Sequence, residues 1–438
     1  MKIKFLGAAS GVVTGSSYVL TSDSGKSILI DLGMFQGVSA VDKLNYEPYD
    51  YDVSQLSGAI LTHAHLDHCG RLPIIMPRGF TGDVWMTPPT KDLTELSLFD
   101  TAKIAKNSGK PFLFDDELVS KTISKFKTVD YHNTFEIGDF KVTMYDAGHI
   151  LGSASLEIED INQSSEIKKI IFSGDLGNSP EPLEKITETI KEADAVVMES
   201  TYGDRLHPNE KAEDKVQEEI NAIEATSGTL LIPAFSLERT QELLHMIMHM
   251  KQSNKIKSST PIYLDSPMGE KATQIYINYK EYFNAHIQDD LKNGNPFESE
   301  RFIENTGPKV IMAGGGMMTG GRIIGHAARF LPLASTRLLI VGYQGEETLG
   351  RELLEGAKNV TIDGVDIEVK AAVNDTQALS SHADQSQLIN WLKEIKNVKK
   401  LFLTHGEDPA RKTLAKKISD DLGLKDITLP SLGEELTI

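Results

Sequence analysis

The chain has 438 residues, of which 40% are hydrophobic and 25% charged, a balance typical of a globular protein whose length favours two or more domains. Its 63 acidic and 45 basic residues give a formal net charge of −18, which excludes a protein that coats nucleic acid through bulk positive charge. The sequence has one cysteine, no apolar run long enough to span a bilayer, and a glycine-rich start that is unlike an export signal. We therefore expect a cytoplasmic protein without a membrane partner.

The first 200 residues are predicted to be rich in strands. Short apolar runs separated by Gly, Asp, Ser or Pro indicate these strands: Ile3–Leu6, Ser27–Asp31, Gly58–Leu61, Lys141–Tyr145, Lys169–Phe172 and Ala195–Met198. Helices are predicted around Thr90–Asn107 and Asp115–Phe126. Several strands lead into a residue that can bind metal or move a proton: Asp31, His63, His149, Asp175 and Glu199. Because loops at strand ends are positioned by a rigid scaffold, we expect the chemistry there.

After about Tyr202, strands and helices alternate. The predicted strands are Thr229–Ile232, Ile262–Leu264, Val310–Ala313 and Leu338–Val341, and a helix follows each of them: Leu237–Met250, Glu270–Tyr279, Gly321–Phe330 and Thr348–Glu355. Four such alternations predict a second α/β domain with a parallel sheet. The polar stretch His286–Glu304 is predicted to be a surface loop, and a strand at Leu379–Asp384, a helix at Gln385–Ile395 and a strand at Lys400–Thr404 complete the pattern.

The strongest local signal is a cluster of three histidines and an aspartate: His63, His65, Asp67 and His68. Two histidines two residues apart on an extended loop project to the same side and can bind one metal ion, while the aspartate and histidine that follow can turn to a second. Mixed imidazole and carboxylate ligands suit zinc with an open coordination position. The alternative is a polar loop of unrelated histidines.

A dinuclear site needs more ligands than this loop supplies, and three residues at strand ends are candidates. His149 lies in a glycine-containing turn, Asp175 carries a carboxylate that could bridge two cations, and His405 follows the last predicted strand. Each alone would more often be an ordinary loop residue, but together they complete two metal sites.

The order of Asp31, the histidine cluster, His149 and Asp175 resembles the four motifs of the metallo-β-lactamase fold. Three later segments resemble the extra motifs of its β-CASP branch, a group of nucleases: Glu199–Gly203, Ser381–Asp384 and Thr404–Glu407. Further matches are Ile232–Glu242, Tyr263–Met268 and Gly315–Arg322. The resemblance implies an αββα metallo-β-lactamase sandwich of residues 1–205 and 375–438, interrupted by an inserted parallel-sheet α/β domain, the β-CASP domain, at 206–374.

The resemblance also implies the role of each site residue. One Zn²⁺ would take His63, His65 and His149, the other would take Asp67, His68 and His405, and Asp175 would bridge the two, while manganese in place of zinc is left open. Asp31 would order the histidine loop without binding metal. Asp67, Glu199 and His382 would be catalytic: a hydroxide activated by two metals attacks phosphorus, and His382, oriented by Glu199, protonates the leaving ribose oxygen.

Arginines and glycines of the inserted domain are candidates for phosphate binding. Arg239 and Arg322 lie near predicted helix starts, and Gly320 and Gly321 would let backbone N–H groups approach an anion. Alternatively, the glycines form a tight turn, and Arg239 is a structural ion-pair partner of a nearby glutamate.

These inferences predict a zinc-dependent ribonuclease that hydrolyses single-stranded RNA. Endonuclease action is favoured because the chain ends soon after His405, without the additional C-terminal domain of the family's exonucleolytic branch. The alternatives are a hydrolase of a thioester or lactone, which leaves the inserted domain unexplained, and a catalytically silent RNA-binding subunit, which would be expected to have lost ligands. A homodimer is left open.

Two other features are predicted to be structural. His245 and His249 are four residues apart on a predicted helix, but they lack the glutamate of a zinc protease, so amphipathic packing is favoured. Cys69, beside the histidine cluster, is predicted to be a small buried side chain and not a ligand.

Overall fold

The structure, a computed structural model, describes residues 1–37, 39–48, 51–108, 112–162, 167–179, 183–303, 305–345, 347–376 and 378–438. The chain forms two compact units, the first made of Met1–Leu206 with Ser381–Ile438 and the second of His207–Ser380. The second unit is therefore an insertion in the first.

The first part of unit one is dominated by strands. Its strands are β1 (Lys2–Phe5), β2 (Tyr18–Thr21), β3 (Ser27–Ile30), β4 (Leu56–Ile60), β5 (Asp83–Met86), β6 (Phe126–Thr128), β7 (Thr134–Ile137), β8 (Phe140–Asp146), β9 (Ala154–Asp160), β10 (Lys169–Phe172) and β11 (Ala195–Glu199). Its α-helices are α1 (Ser39–Asp42), α2 (Leu66–Cys69), α3 (Pro88–Ser108) and α4 (Asp116–Ile123). Short 3₁₀ helices occur at Lys43–Tyr46, Val53–Gln55 and Leu72–Arg78.

The second unit alternates helices and strands, as predicted. Its helices are α5 (Ala212–Thr226), α6 (Arg239–Gln252), α7 (Pro267–Asn278), α8 (Ala285–Asn293), α9 (Arg322–Phe330) and α10 (Leu349–Leu354), with a 3₁₀ turn at Lys280–Tyr282. Its strands are β12 (Thr229–Ala234), β13 (Ile262–Asp265), β14 (Lys309–Gly314), β15 (Thr336–Ile340), β16 (Asn359–Ile362), β17 (Val365–Glu368) and β18 (Ala372–Asp375). Five of them form a parallel sheet in the order β13-β14-β12-β15-β18, and β16 pairs with β17 as a hairpin.

The chain then returns to unit one. The returning elements are α11 (Gln385–Lys393), β19 (Lys400–Thr404), α12 (Asp408–Leu422), β20 (Ile427–Thr428) and β21 (Glu435–Thr437). They complete two seven-stranded sheets, one ordered β21-β1-β2-β3-β4-β5-β6 and the other β20-β19-β11-β10-β9-β8-β7. Because β19 pairs in parallel with β11, the last segment of the chain lies in the centre of the second sheet.

The two sheets pack face to face over a shared apolar core. Phe5 of the first sheet meets Phe402 of the second with ring centroids 5.5 Å apart, and Tyr18 meets Phe172 at the same distance. Helices α3 and α4 cover the outer face of the first sheet, and α11 and α12 cover that of the second. This arrangement is the predicted αββα sandwich.

Two predicted elements are wrong. Residues of the predicted loop at His286–Glu304 form helix α8, although Glu304 itself lies outside the described residues. The predicted strand at Leu379–Asp384 is irregular, and only isolated bridges are formed there, by His382 with Gly177 and by Asp384 with Tyr202. No helix in the described ranges is both long and apolar enough to cross a bilayer.

Candidate metal centre

The predicted metal ligands of unit one come together at one edge of the sandwich. Asp31 follows β3, His63 follows β4, His149 follows β8, Asp175 follows β10 and His405 follows β19. Asp67 and His68 lie on the one-turn helix α2, which begins directly after His65. The carboxyl ends of strands from both sheets thus bring residues together that lie far apart in the sequence.

The first group of ligand atoms comes from three histidines. The Nδ1 atom of His65 lies 3.2 Å from Nε2 of His63 and 3.1 Å from Nε2 of His149. The nearest oxygen of Asp175 lies 3.6 Å from Nε2 of His63 and 3.7 Å from Nε2 of His149. The four ligand atoms lie within 4.8 Å of one another, close enough to bind one ion.

The second group contains Asp67, His68 and His405. Nε2 of His405 lies 3.2 Å from Nε2 of His68 and 3.3 Å from the carboxylate of Asp67. Asp175 faces this group as well, with one oxygen 3.3 Å from His68 and the other 3.7 Å from His405. Its carboxylate therefore lies between the two groups, where a bridging ligand would be placed.

The charge of this cluster fits divalent cations. Four buried or nearly buried carboxylates belong to it: Asp31, Asp67, Asp175 and Glu199. In the described part of the chain, the ion-pair partners of these carboxylates are all histidines, and none is Lys or Arg. The buried Oδ1 atom of Asp175 has only the long 3.3 Å contact to Nε2 of His68 among the described residues, so its capacity to accept is not fully used. Because buried carboxylates need a partner charge, the residues fit bound metal ions.

The protonation preferences of five ligands agree with metal binding, and that of His68 does not. Burial alone would lower the pKa of His68, but the charges of Asp175 and Asp31 raise it well above the usual range, so a metal ion would have to displace its proton. Burial lowers the pKa of His65 to about 4 and holds the pKa values of His63 and His149 well below the usual range, so these imidazoles are neutral. Burial alone would raise the pKa values of Asp67 and Asp175, but hydrogen bonds and charges from neighbouring imidazoles hold them below the usual range. Neutral imidazole and ionised carboxylate are the forms that bind metal.

Asp31 contacts the histidine loop through several hydrogen bonds. Its carboxylate accepts hydrogen bonds of 2.8 Å from the backbone N–H and the hydroxyl of Thr62, and it lies 2.8 Å from Nδ1 of His68. This leaves Nε2 of His68 to face the other ligands. Asp31 has a φ of 55° and His405 one of 50°, uncommon values that persist at functional sites where neighbouring contacts hold the backbone.

Further residues that the sequence did not single out support the ligands. The carbonyl of Ser381 accepts from Nδ1 of His149 at 2.9 Å, and the hydroxyl of Thr201 lies 3.0 Å from Nδ1 of His405. A hydrogen-bond partner on the ring nitrogen that faces away from the metal fixes the orientation of a metal-binding imidazole. Thr201 and Ser381 lie within two of the segments that resemble β-CASP motifs, and Thr62 directly precedes His63, but the sequence assigned a role to none of the three.

Gly33 allows the histidine loop to pack against the segment after β3. A β-carbon at this position would lie 1.5 Å from the carbonyl oxygen of Asp67. Hydrogen bonds on either side of Gly33 hold the two segments this close together. The N–H of Leu32 donates to the carbonyl of His68, and the N–H of Met34 donates to the carbonyl of Leu66. Gly33 is therefore required by the position of α2.

Glu199 and His382 form a pair beside the ligands. Nδ1 of His382 lies 3.2 Å from the buried carboxylate of Glu199 and 3.9 Å from that of Asp175. Glu199 is fixed in turn by the N–H of Leu176, which donates to it at 2.7 Å. Burial alone would lower the pKa of His382, but the charge and hydrogen bond of Glu199, with the nearby aspartates, raise it to about 9. The side chain of His382 is 22% exposed, so a solvent-side group can reach it.

The candidate phosphate-binding residues belong to the second unit and differ among themselves. Arg239 is buried and paired with Glu242, which is the arrangement expected of the structural alternative, and its role in phosphate binding stays a prediction. Arg322 has a 58% exposed side chain that pairs with Asp265. Gly320 and Gly321 are exposed at the start of α9, in a depression whose lining includes an acidic residue, Asp363, and no Lys or Arg among the described residues.

Cys69 is fully buried, as predicted, and its Sγ atom donates to the carbonyl of Ala64 at 3.4 Å. Burial raises the pKa of its thiol far above the usual range. A thiol in this state neither reacts readily nor binds metal.

Three domain families match the chain. The metallo-beta-lactamase superfamily matches residues 10–202, the Beta-Casp domain residues 240–353, and the Zn-dependent metallo-hydrolase RNA specificity domain residues 366–430. The Beta-Casp match lies within the inserted unit, and most of the RNA specificity match lies in the last segment of the chain, which returns to unit one.

Relatives of known name cover the whole chain. Ribonuclease TTHA0252 of Thermus thermophilus is 33% identical over 100% of both chains, and the transcription termination factor FttA of Methanocaldococcus jannaschii is 31% identical over 93% of this chain and 67% of its own length. A crystal structure of a protein of unknown function from Enterococcus faecalis, 11% identical, has the same fold with a TM-score of 0.56 over 100% of this chain and 99% of its own. The chain therefore belongs to the β-CASP branch of the metallo-β-lactamase superfamily, and its clustered histidines and aspartates form a metal-binding site.

Proposed function

We propose that the protein is a zinc-dependent ribonuclease that cleaves single-stranded RNA endonucleolytically. The observation that carries the proposal is the Glu199–His382 pair, 3.2 Å apart, which borders a cluster of seven metal-ligand side chains. Metal ligands alone suit many hydrolases, whereas a carboxylate-oriented histidine beside them supplies a proton donor for a poor leaving group.

The proposed metal complement is two zinc ions. His63, His65 and His149 would hold one, Asp67, His68 and His405 the other, and Asp175 both. When bound, two such ions lower the pKa of a shared water and stabilise charge on the phosphoryl oxygens.

Residues of the chain itself would supply the proton for the leaving group and exclude water from the site. Nδ1 of His382 faces Glu199, so the other ring nitrogen, Nε2, is the atom proposed to hold the proton for the leaving ribose oxygen. The negative charge of Glu199 favours the protonated imidazole. The buried ligands, with side chains no more than 3% exposed at His63, His68 and His149, keep bulk water from competing at the back of the site.

The names of the relatives support RNA as the substrate. One relative is called a ribonuclease and matches the chain from end to end. A thioester or lactone hydrolase has no evident need for the Glu199–His382 pair or for the inserted unit. A silent RNA-binding subunit would not be expected to keep all seven ligands in one cluster.

The proposal is tested with purified full-length protein, reloaded with zinc, and a single-stranded RNA labelled at both ends. We expect the wild-type protein to cleave the RNA internally. A chelator should abolish this cleavage, and the Asp67→Ala variant should not cleave. His382→Ala should retain its metal and lose about 10²–10⁴-fold in the single-turnover rate. His132→Gln, which removes a 59% exposed histidine elsewhere in unit one, is the control.

Two results would contradict the proposal. An absence of chelator-sensitive cleavage across several RNAs of different sequence would favour a small substrate or a silent subunit. Unchanged cleavage by metal-loaded His382→Ala would refute the assignment of the proton donor while leaving the nuclease activity standing.

A further inference from the structure

A second cluster of histidines lies in the inserted unit, outside the segments that resemble the family's motifs. Helix α6 carries His245 and His249 one turn apart, and helix α8 carries His286 and Asp290 with the same spacing. Residues four apart lie on one face of a helix. Two helices therefore each present a pair of side chains, and the four ligand atoms lie within 4.8 Å of one another.

The three imidazoles converge on one oxygen atom. Oδ2 of Asp290 lies 3.0 Å from Nε2 of His245, 2.9 Å from Nε2 of His249 and 3.6 Å from Nε2 of His286. The rings of His245 and His249 are 4.4 Å apart between centroids, and those of His249 and His286 are 5.0 Å apart.

Hydrogen bonding accounts for only part of this geometry. One carboxylate oxygen has two lone pairs, which serve two of the imidazoles, and the distance of 3.6 Å to His286 is too long for a hydrogen bond. Two ligands of a tetrahedral zinc ion, each about 2.0–2.1 Å from the metal, lie about 3.3 Å apart. The distances of 2.9, 3.0 and 3.6 Å between Oδ2 of Asp290 and the three imidazole nitrogens fall on both sides of that value.

The metal centre of unit one offers an internal comparison. There the corresponding separations between ligand atoms are 3.1–3.7 Å, and the imidazole centroids of His63, His65 and His149 are each 5.0 Å apart. The cluster on α6 and α8 has the same donor types and similar distances between ligand atoms, and its ring centroids are 4.4 to 5.9 Å apart, a wider range than in unit one. Burial lowers the pKa of His245 to about 4, so this imidazole is neutral.

We propose that His245, His249, His286 and Asp290 bind a zinc ion that links α6 to α8. Three imidazoles and one carboxylate fill a tetrahedral shell, and sites in which protein supplies all four ligands are structural. The burial of the ligands is graded: His245 is buried and the side chain of His286 is 64% exposed. The ion therefore has a path from solvent.

Helix α8 has a reason to need such a link. Its nine residues bury only Ile287, and helices shorter than about 12–15 residues are marginal without tertiary packing. Binding energy of a metal that is held only in the folded arrangement contributes directly to the stability of that arrangement. The site would hold α8 against α6 where apolar packing supplies little.

The test compares zinc content in full-length protein and in two variants at exposed or partly exposed ligands, His286→Gln and Asp290→Asn. Each protein is stripped with a chelator, reloaded with zinc and freed of excess metal before elemental analysis. We expect each variant to carry one zinc per chain fewer than wild type, whatever the wild-type total. His132→Gln, the same change at a similarly exposed histidine, should keep the wild-type content.

Two further measurements make the result independent of activity. In zinc titrations, each variant should weaken the site on the order of tenfold or more, since even residues that only support a ligand contribute 10–100-fold. Backbone amides of 285–293 should exchange hydrogen faster in the variants, while those of α12 stay unchanged.

Equal zinc content in wild type and both variants would overturn the proposal, as would a difference seen only when zinc greatly exceeds the protein. In that case the cluster is a hydrogen-bonded one. Neither result bears on RNA cleavage, because the ligands of unit one are untouched.

Discussion

Replacing Gly33 by alanine tests whether the metal centre depends on backbone packing as well as on its ligands. An added β-carbon would lie 1.5 Å from the carbonyl oxygen of Asp67, 2.0 Å from its carbonyl carbon and 2.7 Å from the nitrogen of His68. Ordinary contacts begin at 3.4 Å, so α2 and Gly33 must separate by about 2 Å. No flexible side chain is available to absorb this shift, because all three contacts are to backbone atoms.

The expected effect is selective loss of metal. Asp67 and His68 lie on the displaced helix. In real metal sites, the distances between metal and ligand atoms stay within about 0.2 Å of their standard values. A shift of about 2 Å is ten times that tolerance, so Gly33→Ala should lose the ion proposed to bind Asp67, His68 and His405. A misplacement of about 1 Å can cost on the order of 10²-fold in rate, so cleavage should fall at least that far. Overpacking should lower the stability by about 1–3 kcal/mol or more.

Zinc content, cleavage rate and thermal midpoint are measured on the same preparations. The control is Gly325→Ala, the same change inside α9 at a position where a β-carbon meets nothing within 4 Å. It should keep its metal and gain about 0.4–1 kcal/mol of stability. Folded Gly33→Ala with full zinc content and the wild-type rate would refute the reasoning.

Three comparisons between variants test separate parts of the structure. Thr62→Val should weaken zinc binding by about 10–100-fold and Thr62→Ser should not, because only serine keeps the hydroxyl that orders the loop; equal zinc titrations would count against this role. In single-turnover assays, Glu199→Gln combined with His382→Ala should be no slower than His382→Ala alone, since Glu199 acts through His382; a further tenfold loss would show an independent role. Arg239→Ala should destabilise the protein by about 3–5 kcal/mol by leaving a buried carboxylate unpaired, whereas Arg322→Ala should change it by less than about 0.5 kcal/mol; equal shifts in urea denaturation would contradict the burial of Arg239.

The sequence predicted the elements that carry a strong periodic signal. The strands of the parallel sheet and the helices between them agree with the structure to within a few residues, because apolar runs and helical faces are both buried there. The ligand cluster could also be predicted, since His63, His65, Asp67 and His68 share one short loop. Strand ends then limited the search for the remaining ligands.

The sequence could not predict contacts that depend on tertiary packing. Helix α8 was missed because most of its nine residues are polar, so that Ile287 and Leu291, although four residues apart, give only a weak apolar signal. Without that helix, His286 and Asp290 had no face to share, so His245 and His249 were interpreted as packing residues. The spacing of four between His286 and Asp290 is the signal that could have found the cluster. Arg239 lies at a helix start, where phosphate contacts and ion pairs look alike in sequence.

The two histidine clusters show why similar donors suit different chemistry. In unit one the ligands come from strand ends, and Asp175 lies between two groups of ligand atoms. The Glu199–His382 pair lies at the same edge, and His382 is partly exposed, so a substrate oxygen can approach a proton donor beside the metals. On α6 and α8 the four ligands complete one shell, and within the described residues no further carboxylate–histidine pair adjoins them. A full shell leaves no coordination position for a reacting group. The same imidazole and carboxylate chemistry therefore favours hydrolysis in the first cluster and a structural link in the second.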